Sequence, residues 1–233
     1  MGKNQKYKKI LNLGSGIGIF RKALPPWGKD AIYINIDNYI DIKKLKRGTK
    51  SKKGAYMFAM YDDKAEFVTA DIRKLPFPDD YADGAELNQV IEHFSWWDVI
   101  PVLKEIRRVL KPKAKLLLST PNFNALAKQW TENCWLEEYL VKNNVFNLDT
   151  YINLNEQIFG NQRGELGKNQ GEIHKCAVNP RFLQYALTRA GFINFKIVSY
   201  AEGSAVPAGL GLNSKGRRGK AFRCETIIAI AKK

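Results

Sequence analysis

Residues Lys9 to Phe20 read KILNLGSGIGIF, in which a short apolar run leads into glycines at positions 14, 16 and 18. This order predicts a β-strand, a glycine turn and the start of a helix. Gly14 and Gly16 permit positive φ and let a ligand approach the main chain closely. The third glycine of a dinucleotide fingerprint is missing, because Ile19 stands in its place. By itself the turn is compatible with a nucleotide-like ligand or with a tight connection that binds nothing.

The composition fits one α/β domain with an additional element, since 233 residues with 45% hydrophobic content suffice to bury a full core. The net charge of +15 is compatible with nucleic acid, an anionic membrane surface, an anionic glycan or nucleotide-linked substrate, or a solvated basic surface. Three widely spaced cysteines without a C-x-x-C pair argue against disulfides and a zinc site, so we expect no metal and a reducing compartment. No apolar run reaches the roughly 18 residues that span a bilayer, which predicts a cytoplasmic protein.

The second predicted strand, AIYINI at 31–36, is followed by Asp37. A carboxylate about 20 residues beyond a glycine turn can accept hydrogen bonds from both hydroxyls of a ribose. An aspartate at a strand end can also cap the next helix. Both interpretations place Asp37 at the carboxyl edge of a parallel sheet.

Two later strands also end in polar residues. Asp71 follows a strand at 66–70, and Asn88 and Gln89 lie near the end of the next strand. Because strands alternate with helices along the chain, we expect a parallel sheet whose ligands bind at the carboxyl ends of the strands. These polar ends, together with Asp37 and the glycine turn, predict a single site at one edge of the sheet.

A long insertion is predicted at about 120–179, and it is glycine-rich near its end and carries His174. Connections in compact domains are usually a few residues long, so an insertion of this size indicates a lid or a substrate-binding module. A helix at 180–190 and strands at 192–200 and 222–231 are predicted to follow. We expect the whole chain to form a single domain.

Five segments together resemble the class I S-adenosylmethionine-dependent methyltransferases, especially the small type 11 methyltransferase domains. They are LNLGSGIG at 11–18, INIDN at 34–38, TADIRKLPFPDDYAD at 69–83, NQVIEHF at 88–94 and EIRRVLKPKAKLLLSTPN at 105–122. The resemblance implies a Rossmann-like α/β fold: a seven-stranded, mostly parallel sheet whose last strand is antiparallel, with helices on both faces. It also implies S-adenosylmethionine as cofactor and S-adenosylhomocysteine as product.

The resemblance assigns roles to the residues at the sheet edge. The turn at 14–18 would contact the methionine part of the cofactor, Asp37 its ribose, and Asp71 with the backbone of Ile72 its adenine. Asn88 would lie near the transferred methyl group. The implied cofactor-binding residues are Leu13, Gly14, Ser15, Gly16, Gly18, Asp37, Asn38, Asp71, Ile72, Asn88 and Gln89. At Ser15 the family frequently has cysteine or threonine, which is a mild departure.

The chain has two histidines, and both are candidates for catalysis. A hydroxyl acceptor benefits from a base, whereas a neutral amine needs positioning and later proton loss. His93 follows the strand that ends at Asn88, where it either faces the acceptor or pins the next helix through hydrogen bonds. His174 lies in the predicted insertion beside Glu172 and several glycines. Our hypothesis is that His174 removes a proton from a substrate hydroxyl.

The nature of the acceptor is left with alternatives. The segments FGNQ at 159–162 and GEIHK at 171–175 loosely resemble a subgroup associated with bacterial surface-polysaccharide gene clusters, which favours a sugar, a glycan or another small hydroxyl- or amine-bearing acceptor. The basic stretch at 43–53 suits a phosphate backbone, although the sequence motifs of base-methylating enzymes are absent. A catalytically silent cofactor-binding protein is a third interpretation. A nicotinamide dehydrogenase is the least favoured, since Ile19 replaces the third glycine.

Overall fold

The computed structural model describes residues 7–16, 18–19, 21–23, 27–39, 60–61, 64–132, 158–160, 173–200 and 226–233. The basic stretch at 43–53 and most of the predicted insertion at 120–179 lie outside these residues. Among the residues that are described, no helix combines the length and the apolar character needed to cross a membrane.

The described part of the chain contains two sheets. Their strands are β1 (Lys8–Leu13), β2 (Gly18–Ile19), β3 (Ala31–Asp37), β4 (Met60–Tyr61), β5 (Glu66–Thr69), β6 (Ala82–Asn88), β7 (Leu110–Pro121), β8 (Ile193–Tyr200) and β9 (Thr226–Lys232). The large sheet has the order β5-β3-β1-β6-β7-β9-β8, and β2 pairs with β4 in a separate two-stranded sheet.

The direction of the strands confirms the predicted architecture. Strands β5, β3, β1, β6 and β7 run parallel, whereas β9 runs antiparallel to both of its neighbours. Strand β1 lies between β3 and β6, so the chain order reverses on either side of it. A crevice for a ligand forms at such a switch point, beyond the carboxyl ends of the strands. The glycine turn after β1 therefore lies at the centre of the ligand edge.

The prediction of a helix directly after the glycine turn is wrong for the residues that are described there. Gly18–Ile19 forms β2, and residues 21–23 run beside the first half of β3. Lys22 forms an antiparallel bridge with Ile32. The physical reason is that β5 pairs only with Ile34–Asp37, so the start of β3 has backbone groups available for residues 21–23.

Three α-helices are described: α1 (Trp96–Val109), α2 (Phe123–Glu132) and α3 (Pro180–Arg189). A 3₁₀ turn at Ile91–His93 connects β6 to α1. Helix α1 buries an apolar stripe at helical spacing that consists of Val99, Val102, Leu103, Ile106 and Val109. Asn179 caps α3, because its side chain accepts a hydrogen bond from Phe182 N.

The core has two parts, which reflect the alternation of side chains along β1. Leu11 and Leu13 lie in the large cluster with the buried residues of α1 and α3. Ile10 belongs to a smaller cluster, against which Trp27 packs. Helices α1 and α3 contact each other, and α3 directly follows the segment that carries His174. This packing anchors the end of the predicted insertion against the main body of the sheet.

Candidate functional site

The glycine turn is held against β3 by backbone hydrogen bonds. Gly14 N and Ser15 N both donate to Ile36 O, at 2.8 and 3.1 Å. Gly14 has φ +67°, and a Cβ at this position would lie 2.5 Å from a methyl carbon of Val90. Gly16 has φ +54°, but a Cβ there would meet nothing within 4 Å. Gly14 is therefore required for packing, whereas Gly16 borders open space that a ligand can enter.

Asp37 lies beside this turn, as the sequence predicted. The residue is 9% exposed, and its Oδ2 accepts a hydrogen bond from Gly16 N at 2.9 Å. Its Oδ1 accepts from Tyr39 N at 2.8 Å, while the neighbouring Asn38 is exposed. Each carboxylate oxygen has two lone pairs, so both oxygens keep the capacity to accept from a ribose hydroxyl.

Asp71 lies at the end of the edge strand β5 and pairs with Arg73. Arg73 Nη2 is 2.6 Å from Asp71 Oδ2, and the Arg73 backbone N donates to Oδ1 at 2.9 Å. These hydrogen bonds from Arg73 lower the pKa of Asp71. The side chain of Ile72 is buried in the core. The carboxylate of Asp71 is thus ionised and acts as a hydrogen-bond acceptor only.

Asn88 ends β6 at the centre of the same edge, and Gln89 directly follows it. Ser119 Oγ donates to Asn88 Oδ1 at 3.0 Å, which fixes the amide orientation. Gln89 has φ +53°, and its backbone N donates to Ser119 O at 2.9 Å. Gln89 Nε2 is buried and has no hydrogen-bond partner among the described residues. Because the adjacent Val90 contacts the glycine turn, this unused donor suits a polar group of a ligand bound there.

Glu86 in β6 is an important residue that sequence reasoning missed. It is 2% exposed, and its Oε2 accepts from Trp27 Nε1 at 2.9 Å and from Tyr33 OH at 2.5 Å. Its Oε1 accepts from Asn88 Nδ2. Glu86 therefore positions Asn88 at the ligand edge. The available signal was a carboxylate between the apolar residues Ala85 and Leu87 of the strand ADGAELN.

Glu92, also absent from the predicted site, lies in the 3₁₀ turn after β6 and is 2% exposed. Thr120 Oγ1 donates to Glu92 Oε2 at 3.0 Å, whereas Oε1 has no hydrogen-bond partner in the described part of the chain. Burial raises the pKa of Glu92 to about 8. The main-chain O of Glu92 accepts from Lys175 N at 2.7 Å and from Cys176 N at 3.1 Å. Glu92 thus fastens residues 173–176 to the sheet edge.

The two histidines meet beside Glu92. His93 Nδ1 is 3.1 Å from Ile173 O, a contact between residues 80 positions apart in the sequence. The rings of His93 and His174 have centroids 4.9 Å apart at an angle of 68°. The potential ligand atoms of His93, His174 and Glu92 all lie within 4.8 Å of one another.

We call the cluster of Glu92, His93 and His174 the triad. A cleft opens next to it. Both Glu92 and His174 line the cleft, and so do the ends of β7 and α2. Its other lining residues include Pro121, Phe123, Leu126, Cys176 and Val178. The cleft is small, with about 210 Å³ of empty space that includes open solvent, and its lining is largely apolar apart from Glu92 and His174.

The comparisons with known proteins agree with this geometry. A family model described as a methyltransferase domain matches residues 11–118. The chain is also 27% identical over 110 residues to the uncharacterized methyltransferase YcgJ of Bacillus subtilis, an alignment that covers 47% of this chain and 39% of the relative. The chain spans less than half the length of the curated relatives it matches.

Solved structures share the fold over almost the whole chain. A SAM-dependent methyltransferase from Archaeoglobus fulgidus has a TM-score of 0.54 at 18% identity and covers 98% of this chain and 87% of its own. One from Methanosarcina mazei has the same TM-score and identity and covers 97% and 92%. These structures confirm the predicted fold, and the match of residues 11–118 to a methyltransferase domain supports the predicted family and cofactor. The roles of individual site residues stay predictions.

Proposed function

We propose that this protein transfers a methyl group from S-adenosylmethionine to a hydroxyl group of a small, sugar-like acceptor. The observation that carries the proposal is the meeting of His93, His174 and Glu92 at a cleft near the carboxyl ends of β6 and β7. S-adenosylmethionine, when bound, supplies a methyl group on a sulfonium that an oxygen nucleophile can displace in line. A hydroxyl acceptor needs a proton acceptor nearby, and two imidazoles provide one.

The residues on the glycine side hold the cofactor in this proposal. The open space over Gly16 admits the ligand to the main chain, and the spare lone pairs of Asp37 accept from the ribose. Asp71 accepts a hydrogen bond from the adenine. The unused donor of Gln89 lies at the centre of the edge and bonds a polar group of the methionine part.

The residues of the triad serve the acceptor. His174 is half-buried at the cleft, so it can reach a hydroxyl group bound there. His174 takes the hydroxyl proton, and the rate gain expected of such a base is about 100-fold to 10,000-fold. His93 is held by Ile173 O and supports the ring of His174 from the side.

The direct test measures transfer of a tritiated methyl group to pools of nucleotide sugars, oligosaccharides and small amines. The His174→Gln variant is expected to lose at least about 100-fold in kcat while its affinity for S-adenosylmethionine, measured by calorimetry, is unchanged. The matched control is Lys175→Gln, because that exposed side chain is adjacent in sequence. Full turnover of His174→Gln at saturating acceptor would contradict the role of His174. Tight cofactor binding without transfer to any pool would indicate a catalytically silent protein.

Methylation of RNA is a second candidate, favoured by the net charge of +15. Binding through phosphate contacts weakens steeply as salt rises. The proposal of a small acceptor predicts weak retention on RNA at physiological salt and no methyl incorporation into RNA. Strong, salt-sensitive retention together with incorporation would favour the RNA enzyme instead.

A further inference from the structure

We propose that the triad of Glu92, His93 and His174 is a binding site for one divalent transition-metal ion, with zinc as the representative ion. The absence of paired cysteines pointed away from zinc, but imidazole and carboxylate ligands do not depend on cysteine. Two imidazoles and one carboxylate suit zinc and similar ions, whereas magnesium and calcium prefer an all-oxygen set. Three protein ligands leave a fourth position open to water or substrate.

The spacing of the donors fits such an ion. Ligand atoms about 2.1 Å from a tetrahedral ion lie roughly 3.4 Å from one another. In the structure one potential ligand atom from each of the three residues lies within 4.8 Å of the other two, so an ion needs to draw the side chains in by only about 1 Å. Two imidazoles on one ion have ring centroids about 5 Å apart, and those of His93 and His174 are 4.9 Å apart.

The partners of the donors also suit metal binding. Ile173 O can only accept, so His93 Nδ1 carries the proton in this contact and the lone pair of the neutral ring is on Nε2. Metal-bound histidines usually donate their second ring N–H to a carbonyl or carboxylate in this way. Thr120 Oγ1 likewise fixes Glu92 through Oε2. Each of these contacts orients a donor in advance of ion binding.

The second, independent observation is the unpaired oxygen of Glu92. Oε1 is buried, has no hydrogen-bond partner among the described residues, and belongs to a side chain that lines the cleft with His174. A buried polar group without a partner costs about 1–3 kcal/mol. A cation bound between Glu92 and the two imidazoles, in place of the carboxyl proton, removes that cost. The structure thus supplies both the donors and a reason for one of them to require a cation.

The role of the ion rests on the proposed function, although its binding does not. An ion bound by the triad would lower the pKa of a hydroxyl group or water molecule bound at its fourth, open position. His174 would then act on the acceptor as a ligand of the ion, and the proton of the hydroxyl would pass to solvent water. This deepens the proposed activity, because it replaces direct proton removal by His174 with activation through the ion.

The test uses the full chain after chelator treatment, with no cofactor or acceptor present. Zinc is titrated by calorimetry, and cobalt is titrated as a spectroscopic probe of the coordination. We expect one equivalent of each ion and a tetrahedral cobalt spectrum without thiolate bands. His174→Gln and Glu92→Gln are each expected to weaken binding by at least about 10-fold, since loss of a supporting partner alone has such an effect. Cys176→Ser, a matched change in the same cleft, is expected to keep wild-type affinity.

Three results would overturn the site: no saturable binding, equal affinity in the wild type and both ligand variants, or loss of binding in Cys176→Ser. Thermal unfolding without metal confirms that each variant is folded, and His174→Gln alone decides the question if Glu92→Gln does not fold. Because the titration needs no methyl transfer, a failed ion site and a failed proposed function give separate signatures. A failure of the proposed function alone would show as normal ion binding with no methylated sugar.

Discussion

The carboxyl groups on the side of the sheet edge that we assign to the cofactor and the one on the side that we assign to the acceptor are satisfied in opposite ways. On the cofactor side, both oxygens of Asp37 accept backbone hydrogen bonds, and Asp71 pairs with Arg73. On the acceptor side, Glu92 is buried with one oxygen unpaired among the described residues. Full pairing holds a surface in shape in advance of ligand binding, whereas an unpaired buried group gains most when a ligand binds. Among these carboxyl groups, Glu92 is therefore the one that a ligand is expected to reorganise.

The same contrast appears in the titration of the carboxyl groups. Hydrogen bonds from Arg73 lower the pKa of Asp71, while burial raises the pKa of Glu92 to about 8. A lowered folded-state pKa contributes stability above the unfolded pKa, which is lost as pH falls. A raised folded-state pKa contributes stability below the unfolded pKa, which is lost as pH rises. The two sides thus respond to pH in opposite directions.

The largest expected effect is the pH dependence caused by Glu92. Its pKa is 4.5 in the unfolded chain and about 8 when folded, so the folded protein binds the extra proton between these values. The free energy of unfolding of chelator-treated protein is expected to fall by on the order of 4 kcal/mol from pH 4.5 to 8. Urea unfolding at a series of pH values measures this slope.

Glu92→Gln is the control for that slope, because a neutral amide keeps an acceptor for Thr120 and does not titrate. The variant is expected to show a flatter profile through the same range. Identical slopes in the two proteins would mean that Glu92 is not the group responsible, and the described contrast between the two sides would fail.

A smaller effect is expected from a methyl group added to the glycine turn. Gly14→Ala combines positive φ with a close contact to Val90, and we expect a loss of about 2–4 kcal/mol in the free energy of unfolding. Gly16→Ala has positive φ but no close contact, so we expect a loss of only about 1 kcal/mol in the free energy of unfolding. Chemical denaturation compares the two.

Gly16→Ala, the variant with the smaller expected loss of stability, is nevertheless expected to bind the cofactor more weakly than the wild type. The methyl group of Gly16→Ala enters the open space that we assign to the ligand, so its affinity for S-adenosylmethionine is expected to fall by at least about 10-fold at temperatures where the protein is folded. Wild-type affinity in Gly16→Ala would place the ligand elsewhere along the edge.

The hydrogen bonds that Glu86 in β6 accepts can be tested by removing one of their donors. Tyr33→Phe deletes a hydroxyl that donates to the buried Glu86, and we expect a loss of about 1–3 kcal/mol in the free energy of unfolding. Tyr185→Phe on α3 is the matched control, because that side chain is exposed, and it is expected to change stability by less than about 0.5 kcal/mol. Equal effects of the two changes would show that the hydroxyl of Tyr33 is unimportant.

The smallest effect is expected from the ion pair at the end of β5. Arg73→Gln removes an exposed pair, so the free energy of unfolding should change by less than about 1 kcal/mol at neutral pH. The pKa of Asp71 should rise toward its ordinary value, which a carboxyl NMR titration can follow. An unchanged pKa would mean that Arg73 does not control Asp71.

The sequence was most informative where a feature is encoded within a few neighbouring residues. The apolar runs, the glycines at 14 and 16, and the acids that close β3 and β5 all lie in local patterns, and the structure confirms the parallel strands that they predicted. The helix expected after the turn was the exception. There residues 21–23 form hydrogen bonds with the first half of β3, which β5 does not cover. That pairing involves residues about ten positions away and is not visible in the local pattern.

The candidate site was predictable on one side only. Asp37 lies beside the glycine turn because parallel strands bring their carboxyl ends together, and the order of strands and helices along the chain is enough to apply that rule. Glu86 and Glu92 were missed, because in the sequence each is one acid among many charged residues. Their importance depends on burial and on donors such as Trp27 and Thr120 from distant segments.

The amino-acid sequence by itself determined the mostly parallel sheet and the glycine turn and aspartates at its carboxyl edge, since periodicity and turn chemistry act over short distances along the chain. Only the tertiary structure decided that His174 lies against His93 and Glu92. That contact depends on how residues 173–176 return to the sheet edge through backbone hydrogen bonds to Glu92. Such a path is set by packing and hydrogen bonding across the whole domain, and a sequence pattern does not record it.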